Sequence, residues 1–418
     1  MDKLSKAMPL ENDSKTEALA AALNLGERLL ICGGEPYRVE DTIRRICEAY
    51  GAERVGVFTI TSTILVTAYF PGQGSITSSR RVARGISNDY EMLSRLNELS
   101  RKACNEPMTA AELQSRLDEL EEGCPHYPLW FIMATWAVIA GAFCVFFGGS
   151  YADCIVSAII GAVLKLFSVL FSEKLDIPPF FSTIALSLIG GLLSRLFVTA
   201  GFEINIYVVN VGVVMLLIPG IILTNSIRDL ALGDFISGLL RFMEALLLSI
   251  AIAWAFAVTA GVIPETVVVA PIASLISAVI GSTAFCLMFN VRGKQIPACS
   301  LGGLIAWGMV LLCTALGLSE YWGYFLSSLT FGIYAQVMAR ALKTPVSIFT
   351  ACASLPLIPG ASLYRTMFYA VSYRWNLFAI TGIHTICYAV LISAGILVVL
   401  VFMRSRAYVK SNKIPEEK

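Results

Sequence analysis

The feature that most constrains this chain is a long, nearly uncharged stretch between a charged beginning and a charged end. Residues 129–403 contain 20 Asp, Glu, Lys and Arg side chains among 275 positions, whereas residues 1–128 contain 34. Such a stretch folded in water would expose large apolar patches, which soluble proteins avoid. The pattern excludes fibrous, disordered and disulfide-scaffold classes, and it predicts a soluble head, a membrane body and a polar tail.

The body divides into ten apolar segments, each close to the ~20 residues that a helix needs to cross the hydrocarbon core of a bilayer. We expect every segment to be helical because lipid cannot satisfy the open edge of a β-sheet. The segments cover about residues 129–147, 152–172, 180–199, 204–223, 236–260, 267–289, 298–317, 321–340, 345–362 and 377–403.

The distribution of basic residues predicts the orientation of these spans. Ten Lys and Arg residues fall at the ends on the same side as the head, and three fall at the other ends: Arg195, Arg365 and Arg374. Cytoplasmic loops carry such an excess. The first sixteen residues are polar, without the apolar core of a signal peptide. We therefore expect cytoplasmic termini, with the loops at Gly201, Pro264 and Ser319 outside.

A short motif occurs twice in the body. Leu217-Ile218-Pro219-Gly220 is repeated as Leu357-Ile358-Pro359-Gly360, each in the fourth span of its half. Five spans per half give the halves opposite orientations, an inverted repeat typical of transporters. The expected domains are an α+β head (1–127), two five-helix modules (128–263 and 264–403) and a cytoplasmic tail (404–418).

The head has mixed α and β patterning. Val55–Ile60 and Ile64–Phe70 are rich in β-branched and aromatic residues and predict strands, with a possible third at Ser75–Ser79. Helices are expected at Thr16–Cys32, Val39–Tyr50, Asn88–Ala103 and Thr109–Glu122, the last opened by a capping box.

One segment of the head, from Gly33 to Thr42, crowds polar side chains at a helix start. A simple interpretation is that its acidic residues complement the helix dipole; the alternative is a polar site or a surface that docks the membrane body. The head contains no nucleophile–base set and no phosphate-binding glycine loop, so no catalytic residue is predicted. The polar side chains of this segment are Glu35, Tyr37, Arg38, Glu40 and Asp41.

Charge and cysteine content limit the partners. The net charge is +1, which gives no general attraction to nucleic acid. None of the eleven cysteines forms a CxxC pair. The seven in the body are predicted to be small apolar fillers, and the four in the head lack metal-ligand spacing and suggest a reducing compartment. No metal or cofactor is therefore expected, and an oligomer is possible.

Polar residues near the two Pro-Gly motifs form the candidate substrate site. Proline breaks a helix, and the restarting helix presents free N–H groups and a positive dipole end to a carboxylate. An arginine nearby would bind the carboxylate bidentately. The alternative interpretation is that both arginines are interfacial anchors, Arg365 alone and Arg228 paired with Asp229. The candidates are Asn210, Pro219, Gly220, Asn225, Arg228, Asp229, Pro359, Gly360 and Arg365.

Three further ionisable residues lie within spans and are candidates for proton coupling. Lys165 either extends to the cytoplasmic face or faces a cavity. Glu244 either carries a proton or pairs with Arg241, one helical turn away. His384 either carries a proton, a role that histidine often has in proteins, or packs through a hydrogen bond.

The segment from Gly33 to Thr42, the stretch from Arg84 to Asn97 and the two Pro-Gly spans together resemble the bacterial threonine/serine exporter family. Arg340–Val346, before the second Pro-Gly motif, resembles its C-terminal module. The resemblance implies a multi-pass protein of the bacterial cell membrane that exports a small carboxylate-bearing metabolite, driven by the proton motive force. A split form of the family resembles a succinate exporter. An enzyme with its site in the head, and a channel or receptor, are the alternatives.

Overall fold

The structure is a computed structural model of the 418-residue chain. It describes residues 12–60, 62–82, 88–106, 108–260 and 269–411. Outside these residues lie Arg84, the loop at Pro264, the expected boundary between residues 263 and 264, and residues 412–418 of the tail.

The chain divides into two compact units, each described by itself. The first comprises Met1–His126 together with two later segments, Phe289–Arg292 and Lys343–Ile348. The second comprises Tyr127–Met288, Gly293–Leu342 and Phe349–Lys418.

The first unit contains the α and β elements that the sequence predicts. An antiparallel sheet in the order β1-β2-β3 buries one face, because Ile64, Val66, Ala68 and Phe70 alternate along β2 and are inaccessible to solvent. Thr109 caps its helix by accepting the N–H of Glu112. The elements are α1 (Asn12–Ile31), α2 (Pro36–Ala49), β1 (Arg54–Ile60), β2 (Thr63–Phe70), β3 (Gly74–Arg81), α3 (Tyr90–Asn105) and α4 (Ala110–Glu122).

The segment Phe289–Arg292 belongs to this unit through specific polar contacts. Asn290 Nδ2 donates to Asp89 Oδ1 and to the Pro125 carbonyl, each at 3.0 Å. Asp89 also caps α3 by accepting the Met92 N–H. One carboxylate therefore orients both a helix and a distant segment of the chain.

The described residues of the second unit form only helical elements. A π-helical turn, Leu170–Lys174, extends α6, and α16 has 37 residues. The helices are α5 (Leu129–Phe146), α6 (Tyr151–Val169), α7 (Pro179–Thr199), α8 (Ile206–Val214), α9 (Gly220–Leu232), α10 (Phe235–Ala260), α11 (Pro271–Met288), α12 (Gln295–Ala315), α13 (Glu320–Leu342), α14 (Val346–Ser354), α15 (Gly360–Val371) and α16 (Trp375–Ser411).

Seven of the described helices are long and apolar enough to cross a membrane: α5, α6 with its π turn, α7, α10, α11, α12 and α16. The other three expected spans differ in an informative way. The fourth and the ninth are each broken into two short helices. The eighth, α13, has 23 residues but is less apolar because serines, tyrosines and Gln336 interrupt it. Length and composition thus support an α-helical membrane protein without fixing the number of spans at ten.

Contacts between helices recur in the two sets of five. α7 packs against α10, as α13 packs against α16. α9 also packs against α16, as α15 packs against α10, and α5 packs against its counterpart α11. Each broken span thus contacts the last helix of its own set of five and also the last helix of the other set.

Candidate functional site

The two broken spans have the same local geometry. α9 begins at Gly220 after Pro219, and α15 begins at Gly360 after Pro359. The backbone angles are φ −81°, ψ 45° at Pro219 and φ −74°, ψ 45° at Pro359. Proline supplies no N–H and clashes with the preceding turn, so the same residue produces the same break in both spans.

The two breaks lie against each other. A Cβ atom placed on Gly220 would overlap Ile358. In the reciprocal contact, a Cβ on Gly360 would lie 3.0 Å from Ile218 Cγ2 and 3.1 Å from Met215 Sδ. Each glycine therefore leaves room for the isoleucine that precedes the proline of the other motif. The predicted site residues Pro219, Gly220, Pro359 and Gly360 are brought together in this way.

A buried charged group lies further along α9. Asp229 is 2% exposed, and its Oδ2 accepts a hydrogen bond from Arg241 Nη1 on α10 at 2.5 Å. Nη2 of Arg228 lies 3.6 Å from the other carboxylate oxygen. The expected pair of Arg241 with Glu244 is wrong, because Arg241 turns to Asp229 while Glu244 is exposed. Arg241 pairs with Asp229 rather than with Glu244 because a buried carboxylate without a cation is destabilised more than an exposed one.

Three other candidate residues flank the breaks. Asn210 on α8 is 2% exposed, and its Oδ1 has no hydrogen-bond partner within the described ranges. Asn225 and Arg365 are both half-buried, and each is the sixth residue after its proline. Nε of Arg365 is buried and makes no hydrogen bond to any described residue. Asn210 and Arg365 therefore each offer a buried polar atom that the described residues do not hydrogen-bond.

Asp153 is a residue that the sequence reasoning missed. It is buried at the start of α6, where it completes a capping box with Ser150. Its Oδ1 also accepts the Asn205 N–H at 2.7 Å, and Asn205 in turn caps α8. This carboxylate orients the first half of the broken span. The spacing Ser150-x-x-Asp153 after two glycines was the available signal.

The proton-coupling candidates have defined surroundings. Lys165 is half-buried, with Nζ 5.5 Å from the centre of the Trp136 ring, a cation–π contact. His384 is half-buried, and its Nδ1 lies 2.8 Å from the Tyr321 hydroxyl. Tyr388, one turn along α16, donates to Glu320 at 2.5 Å. His384 thus belongs to a polar aromatic cluster between α13 and α16.

The polar side chains of the segment from Gly33 to Thr42 make several separate contacts. Arg38 Nε lies 2.8 Å from Glu35 Oε2 and 3.0 Å from the Tyr37 hydroxyl. Burial, followed by the Glu35 charge, raises the pKa of Tyr37. Burial opposes the charge on Arg38, but the Glu35 carboxylate raises the pKa of Arg38 overall.

The two other acidic residues of the motif have structural partners. Glu40 Oε1 accepts the Thr59 N–H of β1 at 2.8 Å. Asp41 pairs with Arg45, one turn along α2, at 2.8 Å. Asp41 therefore forms an ion pair of its own within α2, in addition to the pair of Arg38 with Glu35.

A separate cavity of about 300 Å³ opens between α5 and α11. Its walls are almost wholly apolar, with Thr135 and Thr283 as the polar exceptions. None of the predicted substrate residues lines this cavity, so it does not mark the candidate site.

The long apolar helices define the chain as an α-helical membrane protein, and its family places it among the transporters. It belongs to the threonine/serine exporter family. The family model described as "Putative threonine/serine exporter" matches residues 20–263, and a second, "Threonine/Serine exporter, ThrE", matches residues 274–402. Because family and relatives are named as exporters, the enzyme alternative is set aside.

Two curated relatives cover most of the chain at low identity. One, from Mycobacterium tuberculosis, is named "Probable threonine/serine exporter" and is 22% identical over 84% of this chain and 70% of its own length. Another, from Corynebacterium glutamicum, is named "Threonine/serine exporter" and is 24% identical over 83% of this chain and 74% of its own length. No solved structure matches the chain.

Proposed function

We propose that this protein is a secondary exporter of threonine and serine, driven by the proton motive force. The observation that carries the proposal is the reciprocal packing of the two Pro-Gly breaks, Gly220 on Ile358 and Gly360 on Ile218. Broken helices that meet are the recurrent way in which transporters expose backbone groups to a substrate. The names of the two relatives supply the substrate class.

The architecture that we propose has ten spans in two inverted five-helix repeats, with both termini in the cytoplasm. The matching contacts of α7 with α10 and of α13 with α16 support the repeat. The ten basic residues on the head's side of the membrane, against three on the other, support the orientation. The proposed domains remain 1–127, 128–263, 264–403 and 404–418, in a bacterial cell membrane.

The proposed substrate site lies at the crossing of the two breaks. The first turns of α9 and α15 carry N–H groups that no preceding helical turn accepts, and the dipole of each helix favours a carboxylate there. Arg365 adds a guanidinium with an unused Nε, and Asn210 adds an unused amide oxygen that suits an ammonium group. A zwitterionic amino acid satisfies both kinds of group.

A proton is the proposed coupling ion, and His384 is the preferred carrier. Its imidazole is already bonded to Tyr321 and lies in a cluster that also contains Glu320 and Tyr388. Glu244 is the weaker candidate because it is exposed, and Lys165 is occupied by its contact with Trp136.

Counterflow in proteoliposomes tests this function directly. Vesicles loaded with unlabelled threonine should accumulate labelled threonine and serine, and an imposed pH gradient should change the rate. Labelled succinate belongs in the same assay because two helix N-termini also suit a dicarboxylate. Accumulation of succinate alone would transfer the substrate assignment to dicarboxylates, and the absence of a pH effect would contradict proton coupling.

A further inference from the structure

Three of the eleven cysteines gather inside the second unit. Cys286 on α11, Cys299 on α12 and Cys352 on α14 place their Sγ atoms within 4.8 Å of one another. Each of the three residues is 0% exposed. α11 and α12 are consecutive in the chain, but α14 comes two helices later, so the spacing of the cysteines does not form a recognisable metal-binding motif.

This cluster is specific to the second set of five helices. Cys352 is the seventh residue before Pro359, and the seventh residue before Pro219 is Gly212. A Cβ on Gly212 would lie 2.6 Å from the Ala140 carbonyl oxygen and 2.9 Å from Cys144 Cβ. The first set of helices thus has no space for a counterpart of Cys352 beside Cys144. The cluster of three thiols therefore does not arise simply because the two sets of helices resemble each other.

We propose that Cys286, Cys299 and Cys352 form a binding site for one soft, thiol-seeking metal ion of the Cu(I) type. Thiolates select soft ions, whereas hard cations require oxygen ligands. A structural zinc site takes four ligands, while three cysteines gather here among the described residues. On binding, coordinating thiols release their protons to water and the metal keeps its oxidation state.

The cluster is close to one end of its helices. Cys286 is two residues before the end of α11, and Cys299 is the fifth residue of α12. At 1.5 Å per residue, both positions lie within about two turns of the connection between these helices, in which Gly293 and Lys294 are exposed. A bound ion would fasten α14, the first half of a broken span, to α11 and α12.

The test uses the full-length protein, reduced and purified anaerobically in detergent, with Cu(I) offered as its bicinchoninate complex. The wild type should withdraw one Cu(I) per chain. Cys286→Ser, Cys299→Ser and Cys352→Ser should each weaken binding at least about tenfold, since even ligand-supporting changes cost 10–100-fold at metal sites. The control Cys144→Ser, which removes a buried thiol outside the cluster, should bind as the wild type does.

X-ray absorption on the Cu(I)-loaded wild type provides a readout that needs no variant, and it should show sulfur as the only ligand type. Loss of Cu(I) binding in the control variant, or retention in all three cluster variants, overturns the proposal. So does a wild-type protein that withdraws no Cu(I), or a spectrum dominated by nitrogen and oxygen. None of these readouts depends on which substrate is exported.

Discussion

Nη1 of Arg241 on α10 lies 2.5 Å from Oδ2 of Asp229 on α9, and both residues are buried. The turn between the two helices is short, with Gly233 in the left-handed conformation at the end of α9. The ion pair therefore fixes the second half of the first broken span against the helix that follows it.

Removing one member of this pair should destabilise the protein strongly. Asp229→Asn leaves the buried Arg241 without its counter-ion, which costs about 3–5 kcal/mol. Arg241→Gln should cost less, because Arg228 remains 3.6 Å from the Asp229 carboxylate. The double variant should recover the part of the Asp229→Asn loss that comes from Arg241, because it removes both charges of this ion pair; Arg228, 3.6 Å from Asp229, still loses that carboxylate. Thermal unfolding in detergent measures the effect. Glu244→Gln, an exposed neighbour on α10, is the control and should stay within about 0.5 kcal/mol of the wild type. Equal losses in the control and in Asp229→Asn would contradict the pairing.

A side chain added where the two Pro-Gly breaks pack together should destabilise the protein, because the new atoms overlap their neighbours. A Cβ on Gly360 meets Ile218 and Met215 at 3.0 and 3.1 Å, and overpacking of this kind costs about 1–3 kcal/mol. Gly360→Ala should lower the melting temperature and slow counterflow. The matched control is Gly308→Ala on α12, where the nearest atom is 3.8 Å from the new Cβ. An unaffected Gly360→Ala would mean that the two breaks separate easily.

Arg365 should matter for affinity rather than for folding. Loss of a charge-assisted hydrogen bond costs about 1.5–3 kcal/mol, so Arg365→Gln should raise the half-saturation concentration for threonine roughly 10- to 150-fold. Arg374→Gln is the control, because Arg374 is exposed just beyond α15. Counterflow at several substrate concentrations, normalised to protein in the vesicles, separates affinity from abundance. An unchanged half-saturation in Arg365→Gln would place the site elsewhere.

Two buried thiols of the first unit should make the protein sensitive to alkali. Burial raises the pKa of Cys32 and of Cys47 from 9.0 to about 12. The folded state holds these protons more tightly than the unfolded state, so the stabilisation is complete below pH 9 and is lost as the pH rises towards about 12. Melting temperature of the full chain should fall across that window, and less steeply in Cys47→Ala. Iodoacetamide should label both thiols only after unfolding; rapid labelling of the folded protein would contradict the assignment.

Local patterns predicted the elements that depend on local causes. The β-branched run of Val55–Ile60 became β1, and each Pro-Gly pair broke its helix, because strand propensity and the missing proline N–H act within a few residues. The partner of Arg241 was missed because the choice between Glu244 and Asp229 depends on burial, which one helix cannot reveal.

The three-cysteine cluster was missed for a related reason. Cys299 and Cys352 are separated by 53 positions in the sequence, and only the packing of α12 and α14 brings them together. The reciprocal contact of the breaks likewise could not be predicted from the sequence, because it depends on how the helices pack. The repeated Leu-Ile-Pro-Gly motif did identify the two segments that make the contact.

The length of α16 has a mechanical consequence. Its 37 residues extend about 55 Å at 1.5 Å per residue, whereas the hydrocarbon core is ~30 Å thick. Because the end of this helix carries Arg404, Arg406 and Lys410, we expect that end to lie beyond the hydrocarbon core. A rod that pivots inside the bilayer magnifies a small tilt into a wide sweep of its free tip. A small tilt of this helix within the bilayer would therefore move its C-terminal end a long way. A spectroscopic reporter attached to that end would register rearrangements of the buried spans as large displacements.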